Sequence, residues 1–164
     1  MSFNIRKINA EEIEFLIPVL KSVIEKLSYY NDIARQNELE KYNSTELSYK
    51  ISQDPESVLI AEENNKIIGF CLSRLDDMLL WIEWFGVIET SRKQGIARKL
   101  VEYLESTATK RNAHKVWCDC RTENIKSINL LSSSGYQPIC TLKNHWYRQD
   151  FILWQKEIST YAVK

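Results

Sequence analysis

The stretch Val87–Leu100 reads VIETSRKQGIARKL, and the rest of the chain is best read outward from it. An apolar strand ends at Val87, a short polar loop turns, and a helix opens at Gly95, with Arg92, Lys93, Arg98 and Lys99 around that start. The first N–H groups of a helix have no partner inside it, and the helix dipole favours negative charge there. A glycine at that point lets the main chain approach an anion closely. The pattern therefore predicts a phosphate cradle. It is not a P-loop, because no Gly-x-x-x-x-Gly-Lys-Ser/Thr occurs, and a chain with four glycines holds no Gly-x-Gly-x-x-Gly.

Upstream, Ser57–Glu62, Lys66–Leu75 and Met78–Val87 are rich in β-branched and aromatic residues and separated by Asn64-Asn65 and Asp76-Asp77, a pattern that predicts an antiparallel meander. Phe3–Ile8 alternates as a short strand. Asn9 and Glu12 form a capping-box pair ahead of a helical stripe of Ile13, Leu16, Ile17, Leu20, Ile24 and Leu27. Pro18 lies within that stripe and predicts a kink or break. One more polar helix is expected over Asn37–Ser52. Downstream follow a helix at Gly95–Arg111, a strand at Lys115–Arg121, a helix at about Asn124–Ser133, and strands at Tyr136–Leu142 and Asp150–Glu157. The order β-α-α-β-β-β-α-β-α-β-β predicts an α/β (α+β) fold with a mixed, mostly antiparallel sheet.

The 164 residues are expected to form one domain, residues 1–164, large enough to bury a core without disulfides or metal. Lys plus Arg (22) equals Asp plus Glu (22), so no global field draws the protein to nucleic acid or an anionic membrane. A nucleic-acid role for the basic stretch Arg92–Arg111 would have to work against that balance. The N-terminus lacks a secretory layout and no apolar run could span a bilayer, so a cytoplasmic protein is expected. Cys71, Cys118, Cys120 and Cys140 all fall in strand segments and are expected to be buried and reduced. His114 and His145 have no ligand-spaced partners, so no metal is expected.

Arg92-Lys93-Gln94-Gly95-Ile96-Ala97 resembles the acetyl-CoA loop of the GNAT acetyltransferases, Gln/Arg-x-x-Gly-x-Gly/Ala. Asn124, followed by Gly135-Tyr136, resembles the family's Asn…Gly-Phe helix. The likeness covers essentially the whole chain and is nearest in character to the ribosomal-protein alanine acetyltransferase branch. It implies a seven-stranded sheet flanked by about four helices and transfer of acetyl from acetyl-CoA to a primary amine by direct attack. It implies that Arg92, Lys93, Gln94, Gly95, Ile96, Ala97 and Arg98 hold the diphosphate, mostly through main chain. Phe85, Gly86 and Val87 would bind the pantetheine arm, with Asn124 bonding it from the other side and the amide of Val87 stabilising the oxyanion. A homodimer is among the arrangements the likeness allows.

The attacking amine must first lose a proton, since a free lysine has a pKa of ~10.4. Glu83, in Trp81-Ile82-Glu83-Trp84-Phe85, and Asp119, in Cys118-Asp119-Cys120-Arg121, are the candidate bases, each of which could instead face solvent or pair with a cation such as Arg121. Asp119 stands five residues before Asn124, where the alanine acetyltransferases carry a glutamate base. The family's general-acid tyrosine maps onto Leu131, so the thiol's proton would come from Tyr147 or solvent. Trp146-Tyr147 resembles the Tyr-Tyr pair that holds the acceptor in N-terminal acetyltransferases, and core packing would explain the same pair. The loss at Leu131 also keeps open a GNAT-like sensor that binds acyl-CoA without turnover.

Overall fold

The computed structural model describes residues 2–158. Strand β1 (Asn4–Lys7) leads through a short 3-10 turn into helix α1 (Ile13–Glu25), followed by α2 (Asp32–Lys41) and α3 (Ser44–Gln53). The meander β2 (Val58–Glu63), β3 (Lys66–Asp76) and β4 (Leu79–Val87) runs into α4 (Ile96–Ala108) and β5 (Lys115–Arg121). Helix α5 (Ile125–Ser133), β6 (Gln137–Leu142) and β7 (Phe151–Glu157) complete the seven-stranded sheet, ordered β1-β2-β3-β4-β5-β7-β6. All neighbours are antiparallel except β4 and β5. Among the described residues no helix is long and apolar enough to cross a membrane.

Each face of the sheet has its own core. Helices α4 and α5 cover one, built on Leu80, Ile82, Leu100, Leu104, Val116 and Leu131. Helices α1 to α3 cover the other, built on Leu16, Leu20, Ile24, Leu47, Ile60 and Phe70. The Asn9–Glu12 capping box forms as expected, with the Asn9 amide donating to Glu12 at 2.9 Å.

Four expectations are corrected. Pro18 does not break α1, which runs unbroken through it. The carbonyl that it leaves unpaired, four residues back, belongs to solvent-exposed Glu14, where water can satisfy it. The expected helix Asn37–Ser52 is two helices, because Asn31 and Asn43 each cap a new start: Asn31 accepts from the Ala34 amide at 2.8 Å and Asn43 from the Glu46 amide at 3.1 Å. The described residues thus hold five α-helices, close to the number expected. The β3–β4 turn sits one residue later than expected, with Asp77 and Met78 at positive φ. Cys140 is exposed, since β6 is an edge strand open to solvent along almost its whole length, whereas Cys71, Cys118 and Cys120 are buried.

Two features of β4 shape the site. Leu72 pairs with Trp84 but Ser73 pairs with Ile82, so Glu83 is the extra residue of a bulge. The bulge reverses the alternation. Leu80 and Ile82 face α4, Glu83 and Trp84 face the α1–α3 side, and Phe85 and Val87 turn back toward α4. Further, β4 and β5 pair only from Leu79–Lys115 to Ile82–Cys118. Beyond that point the two strands part, and the sheet opens as a wedge.

Candidate active site

A cavity of about 750 Å³ fills this wedge. Its walls come from the α1–α2 loop, the far half of β4, the loop into α4, the end of β5, α5 and the β6–β7 loop.

The loop into α4 is open for an anion. Gly95 caps the helix at φ 81°, a left-handed conformation that favours glycine. A Cβ placed there would meet nothing within 4 Å, so backbone conformation rather than clearance requires the glycine. The Arg92 amide bonds the Glu89 carbonyl, and the next bond of the series runs from the Lys99 amide to the Gly95 carbonyl. The amides from Lys93 to Arg98 have no acceptor among the described residues. Gln94 is exposed and its side chain lies off the wall, and Ile96 is buried, so each offers main chain only. The Arg98 guanidinium is tied to α5, at 2.7 Å from the Ser133 hydroxyl and 3.2 Å from its carbonyl. Arg92 donates to the Val87 carbonyl at 3.2 Å, fastening the loop to the strand before it.

Strand β4 supplies a second set of free donors. The Ile88 amide bonds the Ile68 carbonyl on β3 at 3.0 Å. Alternation along an antiparallel ladder then turns the amides of Gly86 toward β3 and those of Phe85 and Val87 toward the gap that β5 has left. Phe85 and Val87 line the cavity, whereas Gly86 does not. The glycine serves packing instead: a Cβ on Gly86 would sit 2.7 Å from Phe70. Asn124 lines the cavity but also caps α5, accepting from the Ser127 amide at 3.2 Å and donating to its hydroxyl at 2.8 Å. Leu131, where the family's tyrosine maps, does not line the cavity. It is 0% exposed, in the core beneath α5, and the helix turns Ser127 and Leu130 to the cavity.

The two candidate carboxylates share the cavity but not an environment. Glu83 lies between two cations, Lys50 Nζ at 2.5 Å and Arg74 Nη1 at 3.2 Å, with its side chain 13% exposed. Asp119 has no ion pair among the described residues and is held by the Trp146 indole N–H at 3.3 Å. Burial pushes its carboxyl above the usual range, against the pull of Trp146. Tyr147, at φ 55°, donates its hydroxyl to Glu38 at 3.1 Å, and burial together with Glu38 pushes the phenol up to about 12.

Several lining residues escaped the sequence reading, among them Tyr29, Tyr30, Glu38 and Lys41. The Tyr-Tyr doublet just before the Asn31 cap was the available signal for the first two. The loop that carries it is fixed from afar, since Gln149 donates to the Tyr29 carbonyl at 2.7 Å and Asn31 donates to the Tyr147 carbonyl at 2.9 Å.

Free amides at a helix start, continuing into free amides on a parted strand, define a site for a long ligand with an anionic end. The chain belongs to the acetyltransferase (GNAT) family, whose model matches residues 25–136. It is 28% identical to the [ribosomal protein bS18]-alanine N-acetyltransferase of Escherichia coli over 104 residues, 59% of this chain and 68% of that protein. The fold matches the PaiA N-acetyltransferase of Thermoplasma acidophilum, solved in complex with coenzyme A, at TM-score 0.81 and 17% identity, over 96% of this chain and 99% of that one. It also matches Ard1 of Thermoplasma volcanium at TM-score 0.79 and 18% identity, over 98% and 100%.

Proposed function

We propose that residues 1–164 form one cytoplasmic acetyltransferase domain that moves an acetyl group from acetyl-CoA to a primary amine by direct attack. The observation that carries this reading is the row of unpartnered amides from Lys93 to Arg98, opening onto a cavity that splits the sheet. Acetyl-CoA supplies the activated acetyl thioester. The row of amides, with the helix dipole behind it, holds the diphosphate. The outward amides of Phe85 and Val87 hold the arm, and the Val87 amide faces the carbonyl oxygen on which charge develops. Asn124 closes over the arm from α5 while it caps that helix.

Asp119 is the base. Its raised pKa brings a carboxylate nearer the task of accepting an ammonium proton, and Trp146 fixes one of its oxygens. Glu83 is assigned a supporting role, because two cations already occupy its oxygens. Tyr147 has given its hydroxyl to Glu38 and shapes the acceptor wall with Trp146. No side chain is needed for the departing thiol, whose ordinary pKa of ~8.5 makes it a tolerable leaving group.

The test is thiol release from acetyl-CoA across a panel of primary amines: small amines, amino acids, lysine peptides and free N-terminal peptides. Amine-dependent release is expected. Saturable acetyl-CoA binding with no release from any amine would instead make the domain a sensor.

A further inference from the structure

Arg121 ends β5 two residues beyond Asp119 and on the same face of the strand. It is only 7% exposed, yet it lines the cavity. Its guanidinium lies over the Tyr30 ring at 3.7 Å and the Phe151 ring at 4.9 Å, and its Nε donates to Gln149 at 2.7 Å. Its Nη2 is buried with no hydrogen-bond partner among the described residues. No carboxylate among the described residues lies within ion-pair distance of the guanidinium: Glu83 pairs with Lys50 and Arg74 and Asp150 with Lys143, while Glu38 and Asp119 bond only the neutral Tyr147 and Trp146. A buried cation with no carboxylate in direct contact and an unbonded N–H is costly, and stacking on aromatic faces offsets only part of that cost. Its neighbours Tyr30, Tyr147 and Gln149 belong to the α1–α2 and β6–β7 loops, which wall the acceptor's end of the cavity.

We infer that the amine acceptor carries a carboxylate close to its reacting nitrogen, and that Arg121 is the residue that binds it. The inference rests on the acetyl-transfer reading and narrows its acceptor. Residues two apart on one strand face are separated by roughly 6.5–7 Å. A compact amino-carboxylate can span that distance, its nitrogen at Asp119 and its carboxylate at Arg121. A free amino acid offers such a pair, and so does a peptide that begins with aspartate or glutamate.

The test needs no variant at first. Wild-type protein is assayed with free amino acids against their amides, and with peptides beginning in glutamate against the same peptides beginning in glutamine. Calorimetry on the coenzyme A-saturated protein with the same pairs reads binding apart from turnover. At least about a tenfold lower KM and tighter binding for the carboxylate is expected in one arm, and that arm tells free amino acid from peptide. Arg121→Gln should abolish the preference mainly through KM, and Arg121→Lys should restore part of it, with unchanged acetyl-CoA affinity showing that the fold survives. Thiol release with equal use of carboxylate and amide in both arms overturns this inference and leaves acetyl transfer standing. A preference untouched by Arg121→Gln also overturns it. Saturable acetyl-CoA binding without release from any amine overturns both.

Discussion

Glu83 and Asp119 face one cavity, and their neighbours give them different work. Replacing Glu83 by Gln leaves the half-buried Lys50 ammonium without its carboxylate and the exposed Arg74 beside a neutral amide, which should destabilise by about 1–3 kcal/mol. Glu83→Gln should therefore lower the melting temperature more than it lowers kcat. Asp119→Asn should keep the melting temperature and cut kcat by about 10²- to 10⁴-fold. Because burial raises the Asp119 pKa, the acid limb of the wild-type profile should lie above that of an ordinary aspartate, ~3.9, and disappear in the variant. Kinetics across pH beside thermal melts would check both; equal kcat losses in the two variants would contradict the assignment. The sequence showed both carboxylates but not the neighbours that set them apart. Lys50, which neutralises Glu83, lies on helix α3, 33 positions away, and nothing local to Trp81–Phe85 reports it.

At the scale of elements, the strand–loop–helix unit rests on two glycines that serve opposite needs. Gly95 has open space but a left-handed backbone, and Gly86 has an ordinary place in a strand but no space. Gly95→Ala should strain the loop by ~1–2 kcal/mol and turn its amides, weakening acetyl-CoA binding severalfold with a small loss of stability. Gly86→Ala should push on Phe70 and Val23 and cost about 1–3 kcal/mol of stability, while the folded fraction keeps its affinity. Calorimetry and denaturant melts on the two variants should give this crossed pattern. The loop of unpartnered amides was legible because its pattern is local: a strand end, a glycine and a helix start within a dozen residues. The bulge at Glu83 was not legible, since Trp81-Ile82-Glu83-Trp84-Phe85 is apolar on both sides and no alternation marks the extra residue. The split of the second helix was carried by Asn31 and Asn43, whose caps lie in a weakly patterned polar stretch.

For the molecule as a whole, the sheet's two cores support a wedge that only the assembled strands reveal. The meander and the strand–helix–strand unit could be read from periodicity and turns. The wall built by the α1–α2 and β6–β7 loops could not, because Arg121 meets Gln149 across 28 residues and Gln149 meets Tyr29 across 120. The sheet's outer edge carries its own test. Arg6 joins Glu12 at 2.6 Å to Glu62 at 2.9 Å, tying β1 to the start of α1 and to β2. Hydrogen bonds from Arg6 hold the Glu12 carboxyl down at about 2 against an ordinary 4.5. A depressed carboxyl stabilises the fold above its unfolded pKa and loses that contribution as pH falls through the folded one. The melting-temperature gap between wild type and Glu12→Gln should therefore be full above about pH 4.5 and shrink steadily toward pH 2. A gap independent of pH would contradict the role given to this network.

The account depends most on the bare amides between Lys93 and Arg98. Backbone amide NMR spectra recorded during titration with acetyl-CoA examine them one by one. Saturable shifts concentrated at Lys93–Arg98, with companions at Phe85 and Val87, are the predicted result. Saturation with those amides unmoved, or no saturation by the folded protein, would contradict it.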